Sequence, residues 1–137
     1  MYQVSSDKNS TDKIKSFIDL LAWQKAHLLV VDVYKITLSF PINEQFGLTS
    51  QIRRSAVSIT SNIAEGFSRS TKPDKTHFYT MALGSLTELQ SQLLVARDVK
   101  YLNKDVCKEL LDKTVLSQKL LHGLVKALRE GKGVRHE

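Results

Sequence analysis

The clearest pattern of apolar and polar positions in the chain lies in residues 46–67. Four apolar residues there follow one another at spacings of four, three and four: Ile52, Ala56, Ile59 and Ile63. Such spacing lines one stripe of an α-helix, so we expect these side chains to face a core. A second stripe repeats the alternation with mostly short or neutral polar side chains: Gln51, Ser55, Ser58, Asn62, Glu65 and Arg69. This stripe predicts a polar seam that touches protein, and an exposed serine-rich face is the alternative.

Helical periodicity extends through three further segments. Two residue pairs have the spacing of a helix-opening capping box: Ser16 with Asp19, and Thr71 with Asp74. Pro41 ends the first segment, because proline cannot extend a helix. Gly66 is expected to close the second helix and Gly131 the fourth. The predicted helices span residues 17–38, 48–67, 72–101 and 103–131.

The first predicted helix has apolar residues on two faces. One face consists of Ile18, Leu21, Ala22, Leu28, Leu29 and Ile36. The other consists of Trp23, Ala26, Val30, Val33 and Tyr34. An apolar arc this wide needs two covering surfaces, and Lys25 and Asp32 interrupt the first face. We therefore expect part of this helix to lie against a second subunit or at a wet seam.

The third and fourth predicted helices each carry an apolar face. In the third, six positions step by four and three residues, as in a left-handed bundle: Phe78, Ala82, Leu86, Leu89, Leu93 and Ala96. Gly84 lies in the middle of this helix, where glycine costs about 1 kcal/mol relative to alanine, so another helix is expected to approach it closely. The face of the fourth helix is rich in leucine: Leu110, Leu120, Leu121, Leu124 and Leu128.

Every interpretable segment is helical, which predicts an all-α protein. Four helices with short connections favour an up-down-up-down antiparallel four-helix bundle. The bundle is expected to occupy residues 16–131, with flexible tails at residues 1–15 and 132–137.

Composition adds a moderate basic bias to this picture. The chain has 137 residues, 42% of them hydrophobic, and a formal net charge of +6, which favours anionic partners such as nucleic acid. Cys107 is the single cysteine and so cannot form an internal disulfide. The first fifteen residues contain no apolar leader, and no later stretch is long and apolar enough to span a membrane. A cytoplasmic location is therefore expected.

The sequence does not predict catalysis. The four histidines lack the spacing of metal ligands, and the glycines do not form a phosphate-binding loop, so no metal, cofactor or catalytic residue is expected. Glu65 and Glu88 stand among small or apolar residues. A structural pairing with serine, asparagine or arginine is favoured for both over a paired-carboxylate active site.

Basic residues concentrate in two groups that are candidates for nucleic-acid binding. The first group is placed around the connection between the second and third helices: Arg53, Arg54, Arg69, Lys72 and Lys75. The second is placed near the next connection: Arg97, Lys100 and Lys104. Arg53 and Arg54 point about 100° apart on a helix, so one is able to brace the seam while the other faces an anion. An exposed pair without function is the alternative.

Five motifs in order carry a resemblance to a known family. They are Trp23-Gln24-Lys25-Ala26-His27, Phe40-Pro41, the run from Gly47 to Ser55, Asn62-Ile63-Ala64-Glu65-Gly66, and Gly84-Ser85-Leu86-Thr87-Glu88-Leu89. From about Ile18 to Leu128 the chain resembles the 23S rRNA intervening sequence (IVS) protein family. These are four-helix-bundle proteins encoded within bacterial large-subunit ribosomal RNA genes. Thr60 departs from the pattern, since many members have proline there, so the family's kink in the second helix is not expected.

The resemblance implies a bacterial cytosolic protein that assembles as a ring-like homopentamer. It also implies similarity to the accessory protein of diversity-generating retroelements, a basic pentameric bundle that engages nucleic acid and a reverse transcriptase. Residues placed at the seam or an oligomer interface are Trp23, Gln51, Ser55, Ser58, Asn62, Glu65, Gly84 and Glu88. Two hypotheses remain: a basic oligomeric scaffold that binds RNA, DNA or a nucleoprotein partner, and a purely structural or protein-interaction bundle. An enzyme is a distant third.

Overall fold

The computed structural model describes residues 14–131, and these residues form four α-helices and no strand. The helices are α1 (Leu21–Thr37), α2 (Leu48–Ser68), α3 (Lys72–Asp98) and α4 (Lys104–Arg129). Two single 3₁₀ turns lie at Phe17–Asp19 and Ile42–Glu44. The all-α prediction and the number of helices are confirmed. Residues 1–13 and 132–137, predicted to be tails, lie outside the described residues.

The first predicted helix is broken near its start. Leu20 has an extended backbone, with φ −75° and ψ 126°, and separates the 3₁₀ turn from α1. The capping pair is present, but it closes this short turn: the Ser16 and Lys15 amides donate to Asp19 Oδ2 at 3.2 and 2.9 Å. Leu20 is fully buried, so the break inserts its side chain into the core. Ile14 also packs against the core, so contact with the bundle begins before Ser16.

The remaining helix ends follow from local side-chain chemistry. Thr71 Oγ1 accepts from the Asp74 amide at 3.2 Å and Asn103 Oδ1 from the Val106 amide at 2.8 Å, so each of these side chains caps the helix that follows it. α3 ends at Asp98, three residues before the predicted Tyr101, because Lys100 adopts a left-handed conformation with φ 72°. Gly131, with φ 73°, follows the end of α4 as predicted.

The core contains the predicted stripes of α2 and α4 almost unchanged. Ile52, Ala56, Ile59 and Ile63 are fully buried, and the five leucines predicted for the face of α4 are buried with them. In α1 the core draws on both predicted faces: Ala22, Ala26, Leu29 and Val33. Leu28 and Tyr34 instead remain 55% and 42% exposed, so α1 carries apolar surface that residues 14–131 leave uncovered.

The core face of α3 begins at Tyr79, one residue after the predicted Phe78. Tyr79 is 1% exposed, whereas Phe78 is half-buried beneath the Arg69 guanidinium, 4.7 Å from the ring centroid. Gly66 explains the shift: a Cβ there would lie 2.7 Å from the Tyr79 ring. Gly66 therefore permits close approach of α2 and α3 and does not close α2, which continues to Ser68. The predicted close approach at Gly84 is absent, since nothing within the described chain lies within 4 Å of its Cβ position.

The two connections at α1–α2 and α3–α4 contact each other. The rings of Phe40 and Tyr101 lie 5.6 Å apart, and the Tyr101 hydroxyl donates to Glu44 Oε2 at 2.9 Å. Glu44 Oε1 also accepts from the Leu48 amide at 3.1 Å, which satisfies a donor at the start of α2. These bonds hold both connections against the bundle. Within residues 14–131 no helix has the length and apolar character needed to cross a membrane.

Candidate nucleic-acid interface

The structure divides the first predicted basic group between two places. Arg53 and Arg54 lie in the second turn of α2, while Arg69, Lys72 and Lys75 lie at the α2–α3 connection. Sixteen residues of helix separate Arg53 from Arg69, or about 24 Å at 1.5 Å per residue. Grouping all five around one connection was therefore wrong, because a continuous helix keeps its two ends apart.

Arg53 braces α2 against α1. Its Nε donates to Thr37 Oγ1 at 2.9 Å, and its guanidinium carbon lies 4.6 Å from the centre of the Tyr34 ring. Arg54 is exposed, so the two neighbouring arginines do point to different surroundings, as their helical angle predicted.

At the α2–α3 connection, two of the three cations are engaged by the fold. Lys75 Nζ donates to the carbonyl of Phe67 at 2.6 Å, near the C-terminus of α2, and burial lowers its pKa. Arg69 pairs with Glu65 at 3.0 Å and covers Phe78. Only Lys72 of this group is exposed without such a contact among the described residues. This connection therefore presents less available positive charge than the sequence predicts.

At the α3–α4 connection, Lys100 and Lys104 are exposed, and their side chains make no hydrogen bond or ion pair within residues 14–131. Arg97 is paired with its neighbour Asp98, with a 2.9 Å bond from Nε to Oδ1. This bond raises the pKa of Arg97 and lowers the pKa of Asp98. The positive charges of Lys100 and Lys104 lower the pKa of Asp98 further. One carboxylate thus offsets part of the positive charge here.

An open hollow of about 490 Å³ adjoins this second basic group. Arg97, Asp98 and Lys104 line it together with Lys108, which lies one turn after Lys104 on α4. Lys108 was missed as a candidate, although its four-residue spacing from Lys104 is the signal that would have found it. Lys108 Nζ lies 3.2 Å from Asp112 in an exposed pair, a kind of contact that contributes little and is readily exchanged.

Much of the predicted polar seam lies between α2 and α3. Ser85 Oγ donates to Ser58 Oγ at 2.8 Å, and Asn62 Nδ2 donates to the Ser58 carbonyl at 2.9 Å. Ser55 and Ser85 are buried. The Ser58–Ser85 bond therefore joins two helices of the same chain, whereas the Asn62 bond lies within α2.

The other seam candidates lie outside this contact. Gln51, Glu65, Gly84 and Glu88 are exposed, and Glu65 pairs with Arg69. Trp23 is half-buried at the start of α1, where its ring stacks on His27 at 4.7 Å and meets Phe17 edge-on at 5.2 Å.

A second polar seam, between α3 and α4, was missed. Gln90 Nε2 donates to Thr114 Oγ1 at 2.9 Å, and Thr114 donates in turn to the Leu111 carbonyl at 2.6 Å. Thr114 and Ser117 are buried among the leucines of α4, at positions that continue the helical spacing from Leu110 to Leu121. Counting small polar residues within that spacing would have found them.

The predictions about metal binding and catalysis depend on the side chains that can bind a metal ion and on the cysteine. Within residues 14–131, no three side chains of His, Cys, Asp or Glu are arranged to hold a metal ion. Cys107 is buried, its Sγ lies 3.6 Å from the Leu93 carbonyl, and burial raises the pKa of the thiol. A buried thiol with a raised pKa is a poor nucleophile.

Comparisons with known proteins agree with the motifs. A protein of unknown function from the S23 ribosomal protein family of Bacteroides thetaiotaomicron VPI-5482, with a crystal structure at 1.70 Å resolution, has a similar fold. The TM-score is 0.69 and the sequence identity 24%, over 77% of this chain and 99% of that one. No match was found among curated proteins. The family model for the 23S rRNA-intervening sequence protein matches residues 18–123, which is well over half of the chain. The chain therefore belongs to the 23S rRNA-intervening sequence protein family.

Proposed function

We propose that this chain is a non-enzymatic, self-associating basic bundle of the bacterial cytoplasm that binds nucleic acid, either alone or within a nucleoprotein complex. The observation that carries the proposal is that Lys100 and Lys104, beside the hollow at the α3–α4 connection, are exposed and have no hydrogen-bond or ion-pair partner among the described residues. Lysines with no partner in the described part of the fold are free to neutralise phosphates, and this electrostatic term supplies most non-specific affinity for nucleic acid. A reverse transcriptase is a candidate protein partner through the family resemblance alone.

The proposal includes an up-down-up-down arrangement and self-association. Two contacts support the arrangement. Phe40 contacts Tyr101, which brings the α1–α2 and α3–α4 connections together. Lys72 Nζ lies 3.6 Å from the position that a Cβ would occupy at Gly131, which brings the start of α3 beside the end of α4. Self-association is supported by apolar side chains that α1 leaves exposed, Leu28 at 55% and Val31 at 36%. The resemblance gives five as the number of subunits, and such an assembly carries five times the +6 charge of one chain.

Light scattering coupled to size exclusion measures the assembly. We expect one species of five subunits at micromolar concentration, and Leu28→Ser with Val31→Ser to shift it toward the monomer. A 15.5 kDa monomer across that range would refute self-association, and a stable assembly of another size would refute the number five.

Binding of duplex DNA and structured RNA is measured by anisotropy across a salt series around 0.1 M. The test variant combines Lys100→Gly, which suits the left-handed backbone, with Lys104→Ala. For each phosphate that the variant no longer neutralises, we expect affinity near 0.1 M salt to fall roughly tenfold and the slope of log affinity against log salt to become shallower by about 0.9. The control, Lys25→Ala with Lys119→Ala, removes equal charge from exposed positions on α1 and α4 and should change binding less.

The second candidate function is a protein-interaction bundle without nucleic-acid binding. It is favoured by the engagement of Arg69, Lys75 and Arg97 in contacts of the fold, which leaves fewer cations free. Absence of binding at the lowest salt concentration would support this candidate and refute the first. An equal loss of affinity in test and control variants would locate the binding surface elsewhere.

A further inference from the structure

The connection between α1 and α2 carries the most exposed large apolar side chains in the described part of the chain. Leu38, Ile42 and Phe46 are 79%, 82% and 90% exposed. They follow one another at intervals of four residues, and we call these three residues the connector patch. A single exposed apolar residue is ordinary, but three in one short connection are typical of an interaction site.

The connector patch stands on a fixed backbone. Phe40, in the same connection, is buried against the Tyr101 ring. Glu44 accepts hydrogen bonds from both the Tyr101 hydroxyl and the Leu48 amide. Backbone bonds from Glu44 to Pro41, from Gln45 to Ile42 and from Gly47 to Glu44, at 2.9 to 3.1 Å, close its turns. An ordered patch loses little conformational entropy when a partner binds, so it is preorganised for docking.

Two hollows flank the connector patch. Phe46 borders the larger one, of about 500 Å³, together with Tyr34 and Val57. Leu38 and Ile42 border the smaller one, of about 250 Å³. Arg53 lines both hollows, so a guanidinium stands between two hollows that each expose apolar side chains. This arrangement suits a ligand with two apolar groups separated by an anionic group.

The cations of this surface have no carboxylate opposite them among the residues that line the hollows. Arg53 is oriented by Thr37 and Tyr34 through its Nε and one face of its plane, which leaves its terminal nitrogens available. Arg54 borders the larger hollow and is exposed. Neither hollow is lined by a described Asp or Glu. An oriented guanidinium binds a carboxylate through two parallel hydrogen bonds.

We propose that the connector patch binds an acidic amphipathic helix of a partner protein. Two apolar side chains one helical turn apart would enter the two hollows, and a carboxylate between them would meet Arg53 or Arg54. A symmetric contact with a second copy is disfavoured, because it would bring this arginine pair against the same pair. A nucleic-acid backbone is disfavoured because it would pair with Arg53 and Arg54 but leave the exposed apolar side chains of the patch in water. This site is separate from the lysines at the α3–α4 connection and does not depend on the function proposed for them.

The test uses two synthetic helical peptides of about twenty residues with leucines four residues apart, one with glutamates and one with lysines at the remaining charged positions. Binding to the full chain is measured by anisotropy of a dye on the peptide. We expect the glutamate peptide to bind at least tenfold more tightly than the lysine peptide. Ile42→Ser with Phe46→Ser, and separately Arg54→Glu, should each weaken its binding at least tenfold. Leu116→Ser, which alters a 42% exposed leucine of α4, is the control and should change nothing.

All altered positions are exposed, so melting curves should show that every variant is folded. Equal binding of the two peptides, no binding at millimolar peptide, or binding unchanged in the Ile42 and Phe46 variant would overturn the proposal. A loss of duplex DNA affinity in that variant would instead make the patch a nucleic-acid platform. A change in its assembly mass would show that another copy of this chain covers the patch. Absence of DNA binding by the unaltered chain would refute the proposed function alone and leave this proposal standing.

Discussion

The two basic connections, α2–α3 and α3–α4, use their cations differently. At α2–α3, Lys75 donates to a carbonyl near the end of α2 and Arg69 lies between Glu65 and Phe78. At α3–α4, Lys100 and Lys104 are exposed without such contacts in the described part of the chain. Basic residues of similar spacing in the sequence thus stabilise one connection and remain available at the other. Substitutions at α2–α3 should change stability, and those at α3–α4 should change binding.

The largest effect is expected at Gly66, beside the α2–α3 connection. In Gly66→Ala the new methyl would lie 2.7 and 2.9 Å from two carbons of the Tyr79 ring, so the ring or a helix must move. Overpacking of this kind costs about 1–3 kcal/mol of unfolding free energy, at the upper end here because the ring is fully buried. Urea denaturation measures the decrease.

Gly84→Ala is the matched control, because it adds the same methyl to another helical glycine, where nothing lies within 4 Å. It should stabilise α3 by about 0.5–1 kcal/mol through helix propensity. If Gly84→Ala lowered the unfolding free energy and Gly66→Ala did not, the close approach of two helices would lie at Gly84 and not at Gly66.

Ionisation of the buried Tyr79, which contacts Gly66, should make the stability of the protein depend on pH. Burial raises the pKa of Tyr79 to about 12, while the unfolded chain titrates near 10. Below pH 10 the phenol is neutral in both the folded and the unfolded state, so its full contribution to the free energy of unfolding is present. Above pH 10 the unfolded state loses the proton first, so stability falls by about 1.4 kcal/mol per pH unit until about pH 12.

The pH effect should total about 2–3 kcal/mol, the two-unit difference converted at 1.36 kcal/mol per unit. Denaturant titrations at pH 9, 10 and 11 measure it against Tyr79→Phe, which keeps the ring and removes the titrating group. Equal pH slopes for the two proteins between pH 10 and 11 would show that Tyr79 titrates normally.

A smaller effect is expected from Lys75→Met, which keeps much of the apolar stem and removes the donor to the Phe67 carbonyl. Loss of this hydrogen bond should cost about 1 kcal/mol, since water can replace part of it. Lys72→Met, three residues away and exposed, should change stability by no more than about 0.5 kcal/mol. Thermal melts of the pair compare them directly, and equal melting temperatures would show that Lys75 does not stabilise α2.

These contrasts also show what the sequence could predict. Periodicity identified the four helices and the core stripe of α2, because apolar spacing reflects burial directly. It misplaced the start of the α3 face by one residue, since the choice of Tyr79 over Phe78 depends on the space that Gly66 leaves in another helix. Likewise, the sequence located the basic residues but not their partners: whether Lys75 meets solvent or a carbonyl depends on how α2 ends.

The smallest stability effect separates strain from charge at the α3–α4 connection. Lys100 has φ 72°, in the left-handed region that favours glycine, and its turn is held by bonds from the Tyr101 and Leu102 amides to the Ala96 carbonyl at 2.9 and 3.2 Å. Lys100→Gly should therefore raise the unfolding free energy by up to about 1 kcal/mol while weakening nucleic-acid binding. Lys100→Ala should weaken binding equally without that gain, because alanine keeps the side-chain clash. Melting temperature and anisotropy are measured on both variants. Equal stability of the glycine and alanine variants would show that the left-handed backbone at Lys100 is not strained. Unchanged nucleic-acid binding in both variants would show that Lys100 does not contact nucleic acid.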